Sequence, residues 1–110
     1  MKFAIPLADG RLCLHFGHCM QFALVDADNE EQLQTTLAAP PSHEPGALPR
    51  WLREQGVEVV IAGGMGQRAQ QLFAQGGIKV VVGAPAETPE KLVSAFIEGA
   101  LQSGVNACDH

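Results

Sequence analysis

"VEVVIAGGMG", residues 57–66, is the stretch that decides the fold of this 110-residue chain. Apart from Glu58, its first six residues are apolar. A strand with one wet face alternates. One this continuous in Val and Ile is covered on both faces, as in a parallel sheet between helices. Three glycines then turn the chain into "QRAQQLFAQGG" (residues 67–77), where Ala69, Leu72 and Phe73 recur at helical spacing. "IKVVVG" (residues 78–83) is a second buried strand. "TPEKLVSAFIEGAL" (residues 88–101) is a helix, with Thr88 as its cap and Pro89 at its first position. Leu92, Val93, Phe96 and Ile97 form its apolar stripe.

The N-terminal half reads differently. Residues 2–7 form a short apolar strand, followed by the turn "ADG". Pro6 has no N–H to give a ladder, which counts against a central position. From Arg11 the chain alternates, with Leu12, Leu14 and Phe16 on one face and Cys13 and His15 on the other, until Gly17 interrupts. "QFALVD" (residues 21–26) and "QLQTTL" (residues 32–37) flank the polar turn "ADNE" and pair as a hairpin. A Pro-rich loop leads to the short helix "LPRWLREQG" (residues 48–56).

The order is therefore βββαβαβα. A hairpin followed by right-handed βαβ crossovers gives an α/β fold, a three-layer α/β/α sandwich on a mixed five-stranded sheet. The expected strand order is 3-2-1-4-5 with strand 2 antiparallel, the ribonuclease H-like fold. Residues 1–110 form one domain, and about 103–110, without periodicity, are a flexible tail holding Cys108 and His110.

Composition narrows the function. With 46 % apolar and 17 % charged residues, the chain is globular and not disordered. Seven Lys and Arg, unclustered, in a chain of net charge −5 offer no basic face, so nucleic acid is not an expected partner. No apolar run is long enough to span a membrane, and the first residues reach an Asp too soon for a secretion signal, so a cytoplasmic location is expected. Three cysteines in such a chain point to free thiols or metal ligands.

In sheets of this kind, ligands sit beyond the carboxyl ends of the strands, where the winding reverses. That point lies between strands 1 and 4. It gathers Cys13, His15, His18, Cys19, His43 and Met65. The "GGMG" turn adds backbone N–H groups at a helix start, where the dipole favours an anion. Its simpler reading is a tight strand-to-helix turn, and it matches neither common nucleotide-binding glycine pattern. Thiolate and imidazole suit iron and copper sulfide clusters. Cys13 also reads as a small core residue, His43 as a turn anchor beside Pro45, and Met65 as packing.

Together, "HFGHCMQF" (residues 15–22), "HEPGALPRWL" (residues 43–52) and "VVIAGGMGQRA" (residues 59–69) resemble the dinitrogenase iron–molybdenum cofactor biosynthesis family. That family includes the NifX-type proteins and the C-terminal domain of NifB, nitrogenase accessory proteins of ribonuclease H-like fold. The resemblance runs over essentially the whole chain. It implies a carrier or scaffold for an iron–sulfur or molybdenum-containing sulfide cluster or its precursor, with cofactor-assembly proteins as partners. It implies binding and not chemistry on a substrate, so the chain is expected not to be an enzyme. His15, within "HFG", carries over as a metal ligand. Gly63, Gly64 and Gly66 carry over as the anion-contacting turn, with Met65 inside it. Cys13, Cys19 and His43 join the metal site by local inference. The radical-SAM domain of full NifB, with its own cysteine motif, is not in this sequence.

Other readings stay open. The chain is alternatively a regulatory or interaction module that kept the fold and lost the cluster. A cysteine hydrolase would combine Cys19, His15 and the "GGMG" amides as nucleophile, base and oxyanion site. A nuclease would need several carboxylates for two metal ions, and only Asp9 and Asp26 lie near strands 1 and 2.

Overall fold

The structure is a computed structural model that describes residues 1–13, 21–28, 32–39 and 47–99. β1 (Lys2–Ala8) and β2 (Arg11–Leu12) open the chain, followed by β3 (Gln21–Asp26) and β4 (Gln34–Ala38). Then come α1 (Ala47–Glu54), β5 (Val59–Ile61), α2 (Gln67–Gln75), β6 (Lys79–Val81) and α3 (Pro89–Ile97). The sheet runs β4-β3-β1-β5-β6, with β2 added on β1. β3 is antiparallel to both neighbours, and β5 and β6 are parallel to β1 and to each other. The expected strand order and the antiparallel second strand are present.

One expectation needs correction. The sheet has six strands and not five, because residues 11–12 return beside β1. Asp9 and Gly10 both have positive φ, at 55° and 80°, as a two-residue hairpin turn with matching twist requires. Pro6 lies in the middle strand, where the expected order puts it and where its missing N–H counted against it. The reason is local. The β1–β5 ladder ends at Ala4 and Val60, and β2 begins opposite Leu7. Pro6 falls in the gap between them, where no donor is required of it. Its carbonyl accepts the Cys13 N–H at 2.8 Å. Extending the β2 register by one residue sets Cys13 against Pro6, and the missing proline N–H ends the ladder there.

Helices cover both faces. α3 packs Leu92 and Val93 on Phe3, Ile5, Ala23, Val25 and Ile61, and Phe96 meets Phe3 edge-on at 5.3 Å. On the other face, Leu52 of α1 and Phe73 of α2 pack against Ala4, Phe22, Leu24 and Val60. Trp51 stands edge-on to Phe22 at 5.9 Å. Thr88 takes the N-cap position of α3 with Pro89 next, as expected, but its hydroxyl makes no capping bond. The expected tail, with Cys108 and His110, lies outside the described residues.

Candidate functional site

Three backbone segments meet at the carboxyl end of β1, β5 and β6. The first is the end of β2, where the Leu12 N–H donates to the Glu87 carbonyl at 3.0 Å. The second is the turn after β5. The third is the loop after β6, whose Gly83 N–H donates to Gly63 at 2.9 Å and Ala84 N–H to Ala62 at 3.2 Å. Gly83 has φ 78°, a conformation that favours glycine. Gly83→Ala is expected to destabilise the fold by about 1–2 kcal/mol, read as a fall in thermal midpoint. An unchanged midpoint would mean that the two loops are not tied as described.

Within the turn, Gly63, Gly64 and Met65 are buried and Gly66 is exposed. Met65 is 0 % exposed and belongs to the cluster under α1 and α2. Its carbonyl accepts from Gln70 Nε2 at 2.8 Å, so side chain and backbone both clamp the turn to α2. Gly66 is the N-cap residue of α2 and supplies no side-chain cap, and the first turn carries no acidic residue. The Gln70 N–H closes the first helical bond on Gly66. The preceding amides have no partner within the helix, and the dipole puts positive potential there. Arg68 is exposed in that first turn. Sequence reasoning missed it, and its signal was the first cation after the glycine turn.

Cys13 is not in a disulfide among the described residues and is 7 % exposed. Leu7 and Leu12 are paired and both belong to the α3-side core. Alternation therefore sets Cys13 on the other face, with Pro6 and the α2 side. Cys13 and the glycine turn thus share one sheet face and one sheet end. His15, His18, Cys19 and His43 lie outside the described residues. Among the described residues, no three His, Cys, Asp or Glu side chains converge as a metal site. The described part of the site fits an anionic sulfide cluster through its donor chemistry, one thiol at the same sheet end and on the same face as an uncapped helix start.

The nuclease pair is not assembled. Asp9 is at the exposed tip of the β1–β2 turn. Asp26 pairs with Lys2 at the opposite end of the sheet, where its carboxylate accepts the Asp28 N–H at 3.0 Å. No helix among the described residues is long and apolar enough to cross a membrane.

The family model described as dinitrogenase iron–molybdenum cofactor matches residues 1–99. The uncharacterized protein MJ0580 of Methanocaldococcus jannaschii is 31 % identical over 107 residues, covering 93 % of this chain and 90 % of its own. The crystal structure of PH0822 superposes with a TM-score of 0.85 at 30 % identity, over 97 % of this chain and 99 % of that one. The apo form of the orange protein from Desulfovibrio gigas gives 0.75 at 24 % identity, over 96 % and 93 %, a likeness of fold.

Proposed function

Because the chain belongs to the dinitrogenase iron–molybdenum cofactor family, we propose that it is a small cytoplasmic carrier or scaffold for an iron–sulfur or molybdenum-containing sulfide cluster. The cluster is cargo, exchanged with cofactor-assembly proteins and not used for catalysis. One observation carries this reading. The start of α2 has neither a side-chain cap nor an acidic residue, and it lies at the same sheet end and on the same face as the Cys13 thiol. Sulfide clusters are anionic, and backbone N–H groups at a helix start hold anions without side-chain charge. Gly63, Gly64 and Gly66 shape that turn, Met65 anchors it, and Arg68 adds a cation. His15, Cys19, His43 and Cys13 are the candidate metal ligands, His15 first because it lies in the family-like "HFG".

Anaerobic reconstitution with iron and sulfide, with and without thiomolybdate, followed by metal analysis and an optical spectrum, tests this. Wild type should load metal in fixed ratio to protein. His15→Ala should reduce uptake about tenfold or more, the scale on which metal affinity responds to groups at a site. His18→Ala should change it little, with circular dichroism showing both variants folded. An imidazole ligand binds metal in competition with a proton, so uptake should weaken as the pH is lowered. Equal loading of wild type and His15→Ala would remove His15 from the site. A wild type that binds no metal under any of these conditions would end the carrier reading.

A further inference from the structure

We propose that the outer edge of β4, with which no other described strand pairs, is a self-association surface, on which a second copy of this chain pairs antiparallel about a two-fold axis at Thr36. The backbone pattern leads there. N–H and C=O of one strand residue point to the same side, and successive residues alternate. Met1 O accepts from Ala27, so the odd residues of β1 face β3. Lys2 O and Pro6 O accept from Glu58 and Cys13, so the even ones face away from it. Ala23 and Val25 therefore bond to β1, and Phe22, Leu24 and Asp26 bond to their β4 partners Ala38, Thr36 and Gln34. Thr35 and Leu37 are left with both backbone groups turned outward, symmetrically about Thr36.

A second copy satisfies that pattern without adjustment. Thr35 of one copy faces Leu37 of the other and exchanges both bonds with it, and the reciprocal pair does the same. Thr36 faces Thr36 between them. Side chains agree. Gln34, Thr35, Thr36 and Leu37 are exposed, and Leu37 is 58 % exposed despite being apolar. Pairing lays Leu37 against the Thr35 methyl of the second copy, on the α3 side of the sheet. The usual guards of an edge strand are Lys, Pro, a bulge or inward charge. Gln34–Ala38 carries no charge, no Pro and no Gly. In a chain of net charge −5, this neutral stretch is where two copies approach with little repulsion. The opposite edge contrasts with it. β6 has three residues, begins at Lys79 and turns only Val80 outward.

The register makes the test specific. Residues opposite each other in a non-hydrogen-bonded antiparallel pair have Cα atoms about 4.5 Å apart, within disulfide reach. Thr36→Cys should therefore cross-link to dimer under mild oxidation. Thr35→Cys should not, because its counterpart lies roughly 9 Å away, beyond the limit of about 7 Å. Mass spectrometry of non-reduced digests, with wild type as control for the native cysteines, reads the linkage. Sedimentation from 10 µM to 1 mM should show the average mass of wild type rising from 11.7 kDa toward twice that value. Thr36→Lys, which puts like charges face to face, and Leu37→Lys should hold the mass at the monomer, with circular dichroism showing the fold intact. A wild type monomeric throughout that range overturns the proposal. So does cross-linking of Thr35→Cys as strong as that of Thr36→Cys. The proposal stands apart from the cargo site and does not depend on it.

Discussion

Replacing Phe73 with alanine is expected to lower unfolding free energy by about 3–5 kcal/mol. Small domains have about 5–15 kcal/mol in total, so this single change removes a large share. Phe73 is 0 % exposed and is the only fully buried residue of α2. Its side chain belongs to the same core cluster as Phe22, Val60 and Ile78, under α1 and α2, and its carbonyl accepts the Ile78 N–H as the chain enters β6. Truncation leaves a cavity that rigid strands cannot collapse to fill, so the cavity cost adds to lost burial. Urea denaturation followed by circular dichroism measures the effect. Gln71→Ala, on the exposed side of the same helix, should stay within about 0.5 kcal/mol of wild type. A loss at Phe73 as small as that at Gln71 would show that α2 does not dock through this ring. The effect reaches the site, because the turn that begins α2 is positioned by what α2 packs on.

Phe73 was legible in the sequence because helical spacing marks a buried stripe directly. So were β5 and β6, whose unbroken Val and Ile runs have no solvent-facing alternative. β2 was not legible as a strand. It is two residues long, too short for a period to register, and it exists because the Asp9–Gly10 turn folds it back onto β1. Pro6 counted against the central place that the strand order gave it, because the rule against central prolines concerns a lost ladder bond. Only the three-dimensional arrangement shows that β5 has already left and β2 arrives just beyond. The site divides in the same way. The glycine turn and its helix could be placed from pattern alone. The burial of Cys13 and Met65 was one of two readings left open, packing or ligation, since a soft side chain looks the same in sequence whether it packs or ligates, and the structure buries both. The loop after β6, which ties the turn in place through Gly83 and Ala84, carries no motif. Arg68 was quoted within "GGMGQRA" and passed over, because one exposed cation has meaning only beside the helix start it occupies.

Substitutions at Gly66 are expected to separate cargo binding from stability. Gly66 has φ −65°, which any residue adopts, and a Cβ built there meets nothing within 4 Å. Gly66→Ala should therefore fold and load cluster nearly as wild type does. Asn and Asp are good N-caps because a side-chain oxygen accepts from the first-turn amides. Either should raise stability over glycine by a few tenths of a kcal/mol, and Asp should gain further from the helix dipole, by about 0.3–1 kcal/mol. Those same amides are the groups proposed to hold the sulfide cluster. A side-chain cap competes for them, so Gly66→Asn should reduce uptake moderately. Gly66→Asp adds a negative charge beside an anionic ligand. Two like charges a few ångströms apart near a protein surface repel by several kcal/mol at an effective dielectric of about 20. Even after screening, a tenfold or greater loss of uptake is expected. The ranking is therefore Ala, then Asn, then Asp in falling uptake, against Ala, then Asn, then Asp in rising stability. Thermal denaturation of the apo proteins and metal content after anaerobic reconstitution give the two scales. Opposite trends place the cargo on the helix start. If Gly66→Asp loads as fully as Gly66→Ala, the anion does not sit on these amides, and the cargo is held by the cysteine and histidine side chains alone.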